Sequence, residues 1–253
     1  MEKLTAVVPT LNESRNIVEC LNSLRWADEL IVVDSHSSDD TVELARGIAD
    51  RVELHRFEGF SKQKNWCVGL AKHRWVFLVD ADERVPRGLR DEIKNALDEP
   101  AADGYWVRRR NHFLGRRMRW AGWGRDRVLR LFDKEKAHYP DRLVHEKLVV
   151  DGNTADLRSP LLHYPYRNLD DYWEKCNRYA RLSAMELHKR GRRSGAWEVA
   201  LKPPARFLRM YVMQLGLLDG FHGLLLCGLS AYQIYVRYAI LWELWREDES
   251  RPH

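Results

Sequence analysis

Trp75-Val76-Phe77-Leu78-Val79-Asp80-Ala81-Asp82-Glu83 runs five apolar residues straight into a cluster of acids. An apolar run this short, bounded by polar residues, reads as a strand buried on both faces. The same pattern recurs upstream at 4–8, ended by Pro9, at 30–33, ended by Asp34, and at 52–55. Between these runs, 13–24 has helical spacing through Ile17, Cys20, Leu21 and Leu24. Asp39 or Asp40 can cap a helix through Ala49, and Ser61 one through Ala71. Strand and helix alternating over short links imply βαβ units: an α/β, Rossmann-like, mostly parallel sheet sandwiched by helices. Ligands of such sheets gather at the carboxyl ends of the strands. Here those ends carry Pro9-Thr10-Leu11-Asn12-Glu13, Asp34-Ser35-His36 and Asp80-Ala81-Asp82.

Downstream, 86–97 reads as a helix with Pro86 in its first turn, and 105–110, 128–132 and 144–150 read as strands between basic loops. From Leu169 the pattern turns helical, over 169–189, about 197–218 and 224–245, with Pro203-Pro204 interrupting or starting the middle helix. The expected division is a catalytic domain over 1–165 and a helical C-terminal region over 166–253. Charge follows this layout. The net charge of +5 combines net −6 over 1–104, net +8 over 105–147 and net +6 over 189–209. An acidic half followed by two basic patches points to an anionic partner.

Several classes are disfavoured. The first glycine is Gly47, so the opening strand–turn–helix holds neither a dinucleotide-binding GxGxxG nor a P-loop. Cys20, Cys67, Cys176 and Cys227 are scattered, giving no zinc pattern and no disulfide framework. The ten tryptophans include three among arginines (Trp106, Trp120, Trp123), but no nucleic-acid reading motif accompanies them. Nucleic acid is not an expected partner.

The chemistry starts from Asp80 and Asp82. Two carboxylates two residues apart at a strand end can converge on one Mg²⁺ or Mn²⁺ that keeps positions open for phosphate oxygens. Lys62 and Lys64 lie near a helix N-terminus, where positive charge gains nothing from the macrodipole; they suit an anion such as a donor phosphate, or are ordinary solvated lysines. Arg125, Arg127 and Arg130 fall in an extended segment whose alternation allows one guanidinium to face a diphosphate without saying which, so Arg127 and Arg130 are both candidates. Glu146, after His145, is the candidate general base; Asp141 competes with it, and His145 could instead join a metal shell.

Three stretches in order carry a resemblance: Val7-Val8-Pro9-Thr10-Leu11-Asn12-Glu13, then Val32-Val33-Asp34-Ser35-His36-Ser37-Ser38-Asp39-Asp40-Thr41, then Phe77 to Glu83. They resemble the successive signatures of family 2 glycosyltransferases, which have the GT-A fold. Phe57-Glu58-Gly59-Phe60-Ser61-Lys62-Gln63-Lys64-Asn65, Leu143-Val144-His145-Glu146-Lys147-Leu148 and Leu218-Asp219-Gly220-Phe221-His222-Gly223-Leu224 are similar to the bacterial branch that includes lipopolysaccharide-core β-1,4-glucosyltransferases. The resemblance implies an inverting enzyme with a nucleotide-sugar donor, commonly a UDP-sugar. It implies that Pro9, Thr10 and Glu13 border base and ribose, that Asp34 binds base or ribose, that Asp80 reaches ribose or the metal shell, and that Asp82 ligates the metal. The implied acceptor is a glycolipid such as a lipopolysaccharide core sugar. Transfer to a polyprenyl phosphate and a non-catalytic nucleotide-sugar-binding protein are the alternatives.

The N-terminus runs directly into a strand, which favours a cytoplasmic protein without a signal peptide. The longest uncharged stretch after His222 is 223–236, 14 residues, against the roughly 20 that a spanning helix needs. The expectation is therefore peripheral association with an anionic membrane surface, on the cytoplasmic face of the inner membrane. Lys189, Arg190, Arg192, Arg193, Lys202, Arg206 and Arg209 would attract headgroups. The same apolar helix could instead pack on the catalytic core or on a second copy in a homo-oligomer.

Overall fold

The computed structural model describes residues 2–140 and 148–250. The strands are β1 (Leu4–Thr10), β2 (Glu29–Asp34), β3 (Arg51–Leu54), β4 (Trp75–Leu78), β5 (Glu83–Arg84), β6 (Gly104–Phe113), β7 (Arg116–Arg117), β8 (Arg127–Asp133), β9 (Ala137–His138), β10 (Val149–Val150) and β11 (Thr154–Tyr166). The helices are α1 (Ser14–Asn22), α2 (Thr41–Arg46), α3 (Phe60–Leu70), α4 (Arg87–Asp98), α5 (Leu169–Lys189), α6 (Ala196–Leu208) and α7 (Gly220–Ser250). The chain forms two compact units, one of 1–110 with 126–163, the other of 111–125 with 164–253.

In the first unit the sheet runs β3-β2-β1-β4-β8-β6-β11-β5. The first four strands are parallel, as their βαβ spacing requires. From β8 onward the ladders with β4 and β6, and that of β11 with β5, are antiparallel, so the sheet is mixed. Strand alternation sorts the core into two layers. Val8, Val32 and Phe77 pack with Ile17 and Leu21 of α1 and Leu89 and Ile93 of α4. Val7, Ile31 and Leu78 pack on the other side with Cys67 of α3. The sheet is thus sandwiched by helices, the α/β core read from the sequence, and a helical C-terminal region follows it.

Two local readings differ. The sequence shows no strand signal over 154–166 because Pro160 and Pro165 interrupt it, yet β11 is 13 residues long. Of the strand read at 144–150, residues 148–150 are in the described part, and Val149–Val150 forms a strand paired antiparallel with β9.

In the second unit α7 packs against both α5 and α6 over a core that includes Tyr172, Cys176, Met210, Leu226 and Cys227. The Tyr172 hydroxyl donates to the Leu229 carbonyl at 2.6 Å. Pro203 and Pro204 neither start nor stop α6. The helix begins seven residues earlier, where the Glu198 carboxylate accepts from the Gly195 N–H at 3.1 Å, and it continues through both prolines. The 216–223 stretch is a tight corner. Asp219, 3% exposed, accepts from the N–H groups of Arg119 and Trp120 at 3.2 and 2.9 Å. A Cβ on Gly223 would lie 1.9 Å from the Gly216 carbonyl oxygen, so only glycine fits there.

α7 also corrects the length argument. The helix does not stop at Arg237 or Glu243 but runs for 31 residues, about 46 Å at 1.5 Å per residue. By length and composition 216–249 could cross a membrane, the one such helix among the described residues. Counting only the uncharged run underestimated it, because single charges do not break a helix. Truncating the buried acceptor Asp219 to Ala should cost about 2–3 kcal/mol by orphaning two N–H groups. Asp219→Asn, which keeps one acceptor oxygen, should cost less. Urea unfolding midpoints of the two variants check this.

Candidate active site

Asp34 ends β2 beside the end of β1 and is fully buried. Its carboxylate accepts from Thr10 Oγ1 at 2.8 Å, from the Ser37 N–H at 2.7 Å and from Ser37 Oγ at 2.5 Å. Ser37 Oγ in turn accepts from the Asn12 N–H at 2.7 Å, and Asn12 Oδ1 accepts from the Ser38 N–H at 2.8 Å. Asn12 and His36 sit at φ 55° and 61°, a left-handed conformation rare outside glycine. The two strand-end loops are therefore sewn together by Asp34. Glu13 is drawn in as well: its N–H donates to Thr41 Oγ1 at 2.8 Å and its carboxylate accepts from Asn16 Nδ2 at 2.6 Å. Pro9 is half-buried beside Thr10.

At the end of β4 the acids divide their roles. Glu83, fully buried, accepts from the Asp80 N–H at 2.9 Å and from Arg130 Nη2 at 2.6 Å. The same Nη2 also donates to the Asp80 carboxylate, and Arg109 approaches Glu83 at 3.5 Å. Arg130 is 4% exposed. Burial opposes its charge, but Asp80 and Glu83 more than offset that and hold it protonated. Burial would raise the Asp80 pKa. Arg130, with Lys64 behind it, outweighs both burial and the neighbouring Asp82 and holds the carboxyl down at about 2. Asp82 turns the other way, its Oδ1 3.5 Å from His163 Nε2.

His163 arrives by register: on β11 it is the cross-strand partner of Glu83. Sequence reasoning passed over it because no strand was legible there. Arg109 and Glu83 were likewise not singled out, although Glu83 stands inside the quoted acidic run.

The basic candidates separate. Lys62 is exposed and pairs with Glu58 at 3.4 Å, while Lys64 lies over the Tyr139 ring and its charge reaches Asp80. Arg127 pairs with Asp156 at 2.9 Å and lies over Trp106, so it is not part of the Asp80 cluster. Asn65, also unread, clamps Tyr139 by two hydrogen bonds of 2.8 and 2.9 Å. Glu146, Asp141 and His145 lie outside the described residues. The four cysteines are buried and unpaired with one another. Burial pushes the Cys67 thiol up to about 12 and that of Cys227 to about 11, which leaves them unreactive.

Among the described residues no three His, Cys, Asp or Glu side chains converge as a ready metal cage. Asp82 and His163 offer one carboxylate oxygen and one imidazole nitrogen close together, a donor pair compatible with Mn²⁺ or Mg²⁺ whose other positions are filled by phosphate oxygens and water. A half-open acidic strand end backed by a buried arginine and by Lys64 can therefore accept a phosphorylated ligand with a divalent cation.

The Glycosyl transferase family 2 model matches residues 5–156. The lipopolysaccharide core biosynthesis glycosyltransferase LpsC of Rhizobium meliloti (strain 1021) is 30% identical over 254 residues, covering 94% of this chain and 93% of that protein. An uncharacterized glycosyltransferase of Rickettsia typhi is 26% identical, covering 96% of this chain and 88% of its own. Among solved structures, S. aureus TarS 1-349 in complex with UDP-GlcNAc aligns at TM-score 0.51 and 16% identity, over 97% of this chain and 92% of that one. Mannosyltransferase PcManGT from Pyrobaculum calidifontis, in complex with GDP-Man and Mn²⁺, aligns at TM-score 0.51 and 19% identity, over 99% and 88%. At such identities the two structures speak for the fold, a GT-A-like one.

Arg130→Met leaves the buried Glu83 with only the more distant Arg109, at 3.5 Å, and should cost about 3 kcal/mol, part of which Glu83→Gln restores in the same background. Because the folded Asp80 pKa is depressed, its share of stability is complete above its unfolded value of about 3.9 and is lost as pH falls towards 2. The stability gap between wild type and Arg130→Met should accordingly narrow below pH of about 4, as chemical unfolding at a series of pH values would read out.

Proposed function

The chain belongs to glycosyl transferase family 2, whose members use nucleotide sugars, and from that premise we propose that it transfers a sugar from a UDP-sugar to a glycolipid, with inversion at the anomeric carbon. The observation that carries this reading is the Asp80–Asp82–Glu83–Arg130–His163 cluster at the carboxyl end of β4, where an α/β sheet binds its ligand. The nucleoside lies over the Thr10–Asp34–Ser37 knot, bordered by Pro9 and Glu13, and the diphosphate faces Asp80, Asp82, Arg130 and Lys64. Asp82 and His163 would hold the divalent cation, with Asp80 close by. Bound there, Mn²⁺ or Mg²⁺ stabilises the charge that develops on the departing nucleoside diphosphate.

Arg130 and Lys64 add fixed positive charge beside the same phosphates. Glu146 takes the proton of the acceptor hydroxyl as that oxygen attacks from the face opposite the leaving group, with Asp141 the competing base. The acceptor is a lipid-linked sugar such as one of a lipopolysaccharide core. LpsC, similar to this chain over nearly its whole length, is named for that biosynthesis. Peripheral attachment to an anionic membrane surface, on the cytoplasmic side of the inner membrane, fits such an acceptor. Trp197, Leu208, Met213 and Phe221, exposed by 74, 56, 78 and 71%, supply apolar contact.

Two measurements test this reading. UDP with Mn²⁺ should raise Tm more than UDP alone in wild type, and Asp82→Asn and His163→Ala should each lose that metal-dependent increment. Glu146→Gln should bind donor as tightly as wild type and lose transfer by about a thousandfold. Near-normal turnover in that variant removes Glu146 from the mechanism.

A further inference from the structure

The second unit contains a cavity of about 380 Å³ lined by Leu187, Gly191, Arg192, Arg193, Glu198, Lys202 and Tyr238. Three cations and one acid face it; Glu198 accepts from the Gly195 N–H through one oxygen and holds the other 4.0 Å from Lys202 Nζ. The walls are held in place. Gly191, at φ 69°, turns the chain out of α5. Trp245 Nε1 donates to the Arg192 carbonyl at 2.8 Å, and the Arg193 guanidinium lies 4.8 Å over the same indole. Lys202 Nζ reaches the Tyr238 hydroxyl at 3.0 Å.

Positive charge accumulates beside this cavity, balanced in part by Glu198 and by Glu249, which meets the Arg193 guanidinium at 3.1 Å. The Tyr238 ring is flanked by Lys202 Nζ and by the Arg237 guanidinium, at 4.1 and 4.8 Å from its centroid. Burial disfavours the phenolate, yet the Lys202 hydrogen bond and the Arg237 and Lys202 charges outweigh it and lower the Tyr238 pKa. Next to Arg237, Arg206 is pulled below its usual value by burial and by the repelling charges of Arg209 and Arg237. Among the described residues, the Nε atoms of Arg206 and Arg237 are buried without a hydrogen-bond partner. Neither of these two arginines lines the cavity; beside it, their charges add to the positive potential that attracts an anion.

We propose that the cavity between the α5–α6 turn, α6 and α7 is a phosphate-binding site, separate from the nucleotide-sugar site, with Lys202, Arg192 and Arg193 as its cations and Tyr238 as its neutral donor. Its size takes a phosphomonoester or a phosphodiester headgroup. The site stands whether or not the chain docks on a membrane, and the ligand is either a lipid-borne phosphate or a soluble one.

The experiment titrates the full-length protein with inorganic phosphate at constant ionic strength, by calorimetry, and in parallel with vesicles of phosphatidylglycerol in phosphatidylcholine. Lys202→Gln, Tyr238→Phe and the exposed pair Arg192→Gln/Arg193→Gln should each weaken phosphate binding about fivefold or more. Glu198→Gln, which keeps an acceptor for the Gly195 N–H and removes the acid that pairs with Lys202, should strengthen it. Opposite signs from neighbouring residues are not what general unfolding produces. Parallel losses in phosphate and vesicle binding assign the site to a lipid headgroup; loss for phosphate alone assigns it to a soluble ligand. Phosphate affinity unchanged across all four variants, or absent in wild type, overturns the proposal. A Trp197→Ser/Met213→Ser variant reads membrane docking separately, since it removes apolar contact and leaves the cavity's cations in place.

Discussion

Arg130 is the constraint on which the first unit depends. A guanidinium almost wholly removed from water is expensive, and its retention requires counter-charge beside it. Asp80 and Glu83 supply it from the turn that follows β4, so β8, β4 and β5 are tied through one side chain. The tie organises the site. With Glu83 taken by Arg130 and by the Asp80 N–H, and with Asp80 facing the same cation, Asp82 is left to point at His163. The three acids of one short run thus acquire three different environments, and these environments suit them to different tasks.

The Asp34 knot does the same work at the neighbouring strand ends. Three hydrogen bonds to one buried carboxylate hold the β1 and β2 loops in conformations that Asn12 and His36 would not choose alone. The second unit uses other means. Asp219 and the glycines at 216 and 223 make a corner that no larger residue could enter, while its helices carry arginines and exposed apolar residues in quantity. Within the 216–223 stretch Asp219 and Gly223 are therefore accounted for by the packing of the corner.

Much of the first unit was legible because parallel strands buried on both faces need apolar residues at every position, and β1, β2 and β4 show this plainly. Their polar ends were legible for the same reason: an acid directly after such a run stands out. β11 was not, since Pro160 and Pro165 hide a strand whose pairing is supplied by distant neighbours. The α6 prolines misled in the opposite direction, being carried inside a helix. Lys62 and Lys64 illustrate the resolution limit. Both read as candidates for an anion, and only the rotation of α3 against the sheet turned one towards Asp80 and left the other with Glu58.

By itself the sequence determined the order of the first four strands and four helices and the acids and hydroxyls at the strand ends, which follow from local composition and spacing; its motifs, by resemblance, pointed to the family to which the chain belongs. Only the tertiary structure decided that Arg130 rather than Arg127 meets Asp80, that His163 stands opposite Glu83 and beside Asp82, and that Lys202 shares a cavity with Arg192 and Arg193. The first two juxtapositions join residues far apart in the chain and are set by antiparallel register; the third lies within the basic stretch 189–209, where helix packing decides which of its cations share the cavity.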